Sequence, residues 1–193
     1  MIEATAVEDG ILDDESACFT GGGNPAFIRT EKAGYNGGLK WTHATELEKA
    51  ANFGRWDLFF AKAGRYRVDA YTQAPFAMSK LAVYQVHHAG GTSDVPVDQT
   101  AVDGWNSLGE FEFAAGGQGQ FVQLDDNTGE LNASDTQLVF DALRFTLIEE
   151  DDDGPKGDFM GPDDPAGCST GRGGASALVL LALALLSRRR RNG

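Results

Sequence analysis

Hydrophobic and polar residues alternate with a period of two along most of the first 148 positions. In "GRYRVDAYT", Tyr66 and Val68 fall on one face of an extended chain and charged residues fall on the other. The run "NFGRWDLFFA" places Trp56, Leu58 and Phe60 on one face in the same way. This alternation is typical of β-strands with one buried face.

Further runs of β-branched and aromatic residues are punctuated by short turn sequences. The runs are "KLAVYQVHHA", "SLGEFEFAAG", "FVQLDD" and "LVFDALRFTLI", and the first is apolar on both faces, as expected of a central strand. Turn sequences such as "GGGNP", "YNGG", "AGGT" and "DDNTG" separate them. We predict an all-β fold, an antiparallel, jelly-roll-like β-sandwich. Only "HATELEKAANF" has a helical pattern, and it could form one short turn.

Composition divides the chain into three zones. Residues 1–148 form the predicted sandwich, and residues 149–167, "EEDDDGPKGDFMGPDDPAG", form an acidic Pro/Gly linker that we expect to be disordered. Residues 168–193 form a tail with a cysteine, a Gly-rich spacer, an apolar run and a block of arginines. The whole chain has a net charge of −13, and the first two zones are acidic whereas the tail is basic. An acidic body disfavours a nucleic-acid partner.

The apolar run of the tail is short for a membrane span. From Gly173 to Ser187 it has 15 residues, which as a helix extend about 22 Å at about 1.5 Å per residue. A bilayer core about 30 Å thick requires about 20 residues. We therefore expect transient membrane retention followed by processing near Cys168. Because the amino terminus lacks a signal-peptide pattern, we expect the chain to be the carboxyl-terminal part of a longer exported protein or the product of a gene prediction with a late start.

Candidate sites for chemistry are few. Adjacent His87 and His88 would point to opposite faces of a strand, which disfavours a shared metal. No serine lies in a nucleophile motif, so we predict no catalytic residues and no cofactor. Acidic pairs occur in "ILDDE", where an acidic surface would supply them by chance. Cys18 is interpreted as a small buried residue, an unpaired thiol or the partner of another cysteine.

The loop "LDDNTGE" offers the oxygen ligands that calcium prefers. Asp125, Asp126 and Asn127 are the candidate ligands. The spacing differs from that of the EF-hand loop, and the same residues are typical of an Asx turn. Both interpretations stay open.

Aromatic residues near loops are candidates for binding sugar rings by stacking. The candidates are Trp41, Tyr35, Tyr71 and Phe76, each of which could instead be packed in the core. Trp56 and Trp105 lie inside apolar runs, and we expect them to be core residues.

An ordered series of motifs in the body resembles the golvesin/xanthan-lyase carbohydrate-binding-like domain. The motifs are the tryptophan strand with Trp56, "AGRYRV", "HHAGG", "VDQ", "GWNSLGEFEF" and "DALRF", and they cover most of residues 11–147. The resemblance implies a β-sandwich accessory module of secreted hydrolases and surface proteins, without a general catalytic residue set. The tail is similar to the MYXO-CTERM sorting tail, which implies a sorting protease and lipidation near Cys168.

Together these features predict an exported, non-catalytic module that binds polysaccharide or another cell-envelope polymer. The alternative is a structural or protein-interaction module that binds no sugar, and a third, weaker hypothesis is a hydrolase.

Overall fold

The computed structural model describes residues 10–148. Their regular secondary structure consists of twelve β-strands and two short 3-10 helices, Pro25–Phe27 and Asn132–Ser134. The strands are β1 (Ile11–Leu12), β2 (Phe19–Gly23), β3 (Arg29–Glu31), β4 (Leu39–His43), β5 (Asn52–Asp57), β6 (Gly64–Thr72), β7 (Ala82–His88), β8 (Gly91–Val97), β9 (Gly104–Phe113), β10 (Phe121–Asp125), β11 (Gln137–Phe140) and β12 (Leu143–Leu147).

The strands form three antiparallel sheets. The four-stranded sheet has the order β1-β12-β6-β9, the five-stranded sheet β2-β5-β10-β7-β8, and the three-stranded sheet β11-β4-β3. One hydrophobic core contains side chains from both larger sheets: Trp56 and Val86 from the five-stranded sheet pack with Val68 and Leu143 from the four-stranded sheet. The two larger sheets therefore face each other, which confirms the predicted all-β, antiparallel sandwich.

The period-two pattern correctly identifies the core face of two strands. Val68 and Ala70 of β6 are 0% and 1% exposed, and Tyr66 packs against the same core. Trp56 of β5 is buried, and Leu58 continues the buried series just beyond the strand. Burial of each such large apolar side chain stabilises the fold by about 1.5–3 kcal/mol.

Two local predictions are wrong. The segment "HATELEKAANF" forms no helix, because its backbone bonds to a distant loop: Thr45 N–H donates to the carbonyl of Asp126 at 2.8 Å. The outward side chains of "KLAVYQVHHA" are exposed, with Leu81 at 52% and Val83 at 36%. Strand β7 lies inside the five-stranded sheet, between β10 and β8, but only one of its faces is buried.

The predicted linker, the apolar tail and Cys168 lie outside the described residues. Cys18 lies within them as a partly buried thiol packed against the main core. No helix within residues 10–148 is both long and apolar enough to cross a membrane.

Candidate functional site

Three aromatic side chains gather on the outer face of the four-stranded sheet. Tyr71 of β6 and Trp105 of β9 lie directly opposite each other in the strand register, and their ring centroids are 5.1 Å apart in an edge-to-face arrangement. Tyr35 joins them from a neighbouring turn, 5.8 Å from the ring of Tyr71 and 5.4 Å from that of Trp105. All three side chains are half-buried. We call these three residues the aromatic platform.

A β-bulge places Trp105 on the outer face. The register of β6 and β9 pairs Val68 with Gly109 but Asp69 with Ser107, so Leu108 is an extra residue in β9. Gly109 adopts a φ of 119°, which a glycine tolerates best. The extra residue reverses which side chains point inward. The expectation that Trp105 is a core residue is therefore wrong, whereas Trp56 is buried as predicted.

An arginine lies beside the aromatic platform. The guanidinium of Arg144 in β12 is 4.4 Å from the ring centroid of Trp105. Its Nε and Nη2 atoms donate to Oδ2 of Asp69 at 3.1 and 2.9 Å. Because Asp69 is only 5% exposed, this ion pair holds the guanidinium over the tryptophan.

The turn that carries Tyr35 depends on backbone conformations with positive φ and on a backbone hydrogen bond to Asp141. Gly34 and Gly37 have φ values of 86° and 82°, and Asn36 between them has 44°. The backbone N–H of Tyr35 donates to both carboxylate oxygens of Asp141 at 3.1 Å. A Cβ atom at Gly34 would lie 2.4 Å from Oδ2 of Asp141, so the close approach of the turn requires glycine there.

The Asp141 carboxyl group lies in an unusual electrostatic environment. Burial raises its pKa to about 8, and the nearby carboxylates of Asp14 and Asp13 add to the increase, while the hydrogen bond from Tyr35 opposes it. Burial also raises the pKa of Asp14, against the lowering effect of the Lys40 ammonium group.

The structure separates the four aromatic candidates into two groups. Tyr35 and Tyr71 belong to the aromatic platform, whereas Trp41 and Phe76 pack in a second hydrophobic cluster with Leu39 and Val139. Trp41 lies within β4 and is only 7% exposed, and the guanidinium of Arg29 lies 4.7 Å from its ring centroid. The expectation of an exposed stacking face at Trp41 is therefore wrong. Phe76 is half-buried against the same cluster.

The oxygen atoms of the "LDDNTGE" loop are engaged in hydrogen bonds. The carboxylate of Asp126 accepts from the backbone N–H groups of Ala51 and Asn52, both at 2.8 Å, and from the side chain of Asn52. That of Asp125 accepts from two glutamine side chains, and Asn127 donates to the carbonyl of Glu48. These contacts favour the structural interpretation of the loop over the calcium site.

The two adjacent histidines contact different aromatic rings. His87 stacks on Phe121 with centroids 3.7 Å apart, and His88 lies 5.2 Å from Phe111. Phe121 faces outward from the five-stranded sheet, since its neighbour Val122 is in the core. The Phe121 ring has a second neighbour, the guanidinium of Arg55, which lies 3.6 Å from the ring centroid. Phe121 is thus an outward-facing aromatic residue on the other large sheet, and it serves below as a control for the aromatic platform.

Parts of two much longer proteins resemble this chain in sequence or in structure. The chain is 34% identical over 87 residues to the xanthan lyase of Bacillus sp. (strain GL1), which covers 45% of this chain and 9% of the lyase. The structure of Paenibacillus xanthan lyase is similar with a TM-score of 0.58 and 20% identity, covering 72% of this chain and 13% of that chain. The chain thus spans only a small part of these relatives.

A more distant similarity is to the CBM22-1-GH10 modules of Clostridium thermocellum xylanase Xyn10B in complex with xylohexaose. It covers 68% of this chain and 26% of that chain, with a TM-score of 0.35 and 12% identity. The Golvesin C-terminal domain family matches residues 12–147, which is most of the chain. The chain therefore belongs to the Golvesin C-terminal domain family.

Proposed function

We propose that this protein contains a non-catalytic accessory module that binds polysaccharide through the aromatic platform. The observation that carries the proposal is the clustering of Tyr35, Tyr71 and Trp105 on an outer sheet face rather than in the core. The C–H faces of sugar rings pack on aromatic side chains, and phenol hydroxyl groups remain able to bond to sugar hydroxyls.

The ion pair of Arg144 and Asp69 beside the aromatic platform also favours sugar binding. Arg144 offers guanidinium N–H groups next to Trp105 and is itself held in place by Asp69. A donor with a fixed position costs less conformational entropy when a ligand binds. Hydrogen bonds from this group to sugar hydroxyls would therefore add specificity to the stacking contacts.

The comparisons support an accessory role rather than a catalytic one. Two relatives are xanthan lyases, proteins named for action on a polysaccharide. The chain matches 9% and 13% of their lengths, so a domain of this kind is a small part of a much larger enzyme. We propose that it concentrates such an enzyme on its polymer, since linked binding sites raise the effective concentration.

Replacing Tyr71 with alanine should weaken polysaccharide binding about tenfold. The substitution removes a ring worth about 1.5 kcal/mol in stacking and opens a gap beside Trp105. Binding is measured by affinity electrophoresis and by calorimetry against a panel that includes xanthan, xylan and cell-envelope polysaccharides. Tyr71→Phe should retain most of the affinity, because it keeps the ring.

The matched control is Phe121→Ala on the opposite sheet, which should leave the affinity unchanged. If Phe121→Ala weakens binding and Tyr71→Ala does not, the binding surface is the five-stranded sheet. If the wild-type chain binds no polymer of the panel, the module is structural or binds protein instead. Cleavage of a polymer during these assays would support the hydrolase hypothesis.

We further propose that the module acts outside the cell and that the tail is processed near Cys168. The support is the order of cysteine, spacer, apolar run and arginines in residues 168–193. Mass spectrometry of protein isolated from its native host should show a mature chain that ends near Cys168. A surface-exposed chain that retains "SRRRR" would contradict the processing.

A further inference from the structure

Three carboxylates meet beside the turn that carries Tyr35. Asp13 and Asp14 directly follow β1, and Asp141 lies between β11 and β12. Because β1 pairs with β12, the two ends of the described chain come together here. One oxygen of each carboxylate lies within 4.8 Å of the other two. Asp14 and Asp141 are both only 2% exposed.

The neighbouring cationic group does not balance these carboxylates. Lys40 Nζ lies 2.6 Å from Oδ2 of Asp14 and also donates to the backbone carbonyl of Asp14 at 2.7 Å. Asn36 Nδ2 donates to Asp13 at 3.2 Å without contributing charge. When all three carboxylates are ionised, one ammonium group leaves two negative charges uncompensated. Buried charges of this kind require either a counter-ion or a bound proton.

A separate observation points to the same place. Oδ1 of Asp14 is fully enclosed and accepts no hydrogen bond from any described residue. Its companion Oδ2 accepts a hydrogen bond from Lys40 at 2.6 Å. Buried carboxylate oxygens in folded proteins nearly always have a partner. This oxygen therefore lacks the partner that an added cation or a proton shared between the carboxylates would supply.

We propose that Asp13, Asp14 and Asp141 bind a divalent cation, and that this cation is calcium. The cluster supplies carboxylate oxygens and no nitrogen or sulfur ligand, which excludes the ligand sets preferred by zinc and copper. Calcium accepts irregular arrangements of oxygen atoms, whereas magnesium requires a near-ideal octahedron. The ion binds Oδ1 of Asp14 and compensates the two remaining charges.

Calcium at this position connects three segments of the chain. It links the residues after β1 with the connection between β11 and β12. Because the N–H of Tyr35 donates to the carboxylate of Asp141, it also links the turn of the aromatic platform. Binding therefore stabilises the fold as a whole. This inference does not depend on polysaccharide binding, because its readouts are ion binding and thermal stability.

The full chain is first depleted of metal with a chelator and then titrated with calcium. For a dissociation constant of about 0.1–1 mM, typical of extracellular modules, a tenfold or greater excess of calcium should raise the melting temperature on the order of 5 °C. Magnesium at the same concentration should raise it less. Terbium, detected by luminescence after aromatic excitation, should bind in a saturable way and be displaced by calcium.

Asp14→Asn and Asp13→Asn test the ligands directly. Each should weaken calcium and terbium binding at least tenfold and remove most of the calcium-dependent increase in melting temperature. Asp13 is only half-buried, so its variant tests the site even where Asp14→Asn folds poorly. The control is Asp57→Asn, an exposed carboxylate paired with Arg55 at 2.7 Å, and it should respond to calcium like the wild type.

Three results would overturn the proposal. A wild-type melting temperature that calcium leaves unchanged, without saturable terbium binding, means that no cation site is present. A melting temperature that does not change when calcium is added but increases as the pH falls means that the carboxylates share a proton instead. Calcium binding that survives both Asp13→Asn and Asp14→Asn places the ion elsewhere.

Discussion

Replacing Gln99 with alanine should lower the free energy of unfolding by about 4 kcal/mol. Gln99 is only 1% exposed, and its side-chain amide bonds to the backbone of Val139 in both directions. Nε2 donates to the Val139 carbonyl, and Oε1 accepts from the Val139 N–H, both at 3.0 Å. Nε2 also donates to the hydroxyl oxygen of Tyr84 at 3.0 Å.

These bonds give Gln99 the role of a strand partner. Val139 lies in β11, which is one of the two edge strands of the three-stranded sheet. The amide group satisfies backbone groups that a neighbouring strand would otherwise pair. Truncation to alanine leaves a buried N–H, a buried carbonyl and a phenol without this partner, and it creates a cavity.

Chemical denaturation of three variants separates the free-energy cost of the cavity from that of the unpaired polar groups. Gln99→Leu fills the cavity but leaves the polar groups unpaired, so it should cost about 2 kcal/mol. Gln123→Ala, a half-buried glutamine that faces outward from β10, should change the stability by less than about 0.5 kcal/mol. A Gln99→Leu variant as stable as the wild type would show that the unpaired groups find other partners.

The sandwich could be predicted because the residue pattern within each strand indicates which of its faces is buried. In β6, the alternation of Arg65, Tyr66, Arg67 and Val68 places apolar side chains on one face without reference to the rest of the chain. The glycine-rich turns between such runs leave no room for helical crossovers. A local pattern repeated along the chain is therefore sufficient for the fold class.

The aromatic platform was harder to predict because the β-bulge in β9 changes which side chains of that strand face the core. Counting back in steps of two from Phe113 and Phe111 places Trp105 in the core. The extra residue at Leu108 shifts the phase by one, and Trp105 faces outward opposite Tyr71. The glycine at position 109, with its positive φ, was the local signal for this bulge.

The carboxylate cluster depends on contacts between distant parts of the chain. "ILDDE" read alone is an ordinary acidic stretch, and Asp141 lies in a different motif more than 120 residues later in the sequence. Only the pairing of β1 with β12 brings Asp14 and Asp141 together. The burial of Trp41 also depends on tertiary structure, since β4 is covered by side chains from other segments, including Phe76.

Replacing Asp126 with alanine should lower the free energy of unfolding by about 3 kcal/mol. Its carboxylate closes the junction between the loop after β10 and the start of β5. Two backbone N–H groups, from Ala51 and Asn52, and the amide of Asn52 donate to it within 2.9 Å. Asn52 is itself 4% exposed, and its Oδ1 accepts from the N–H of Asn24, so the loss extends to the turn before β3.

The neighbouring carboxylate provides the control. Asp125 faces outward from β10 and accepts hydrogen bonds from the side chains of Gln85 and Gln123, so Asp125→Asn should cost less than about 1 kcal/mol. Chelator should leave the difference between the two variants unchanged, because Asp126 stabilises the loop through N–H donors rather than through an ion. A difference that disappears when calcium is removed would instead identify the loop as a calcium site.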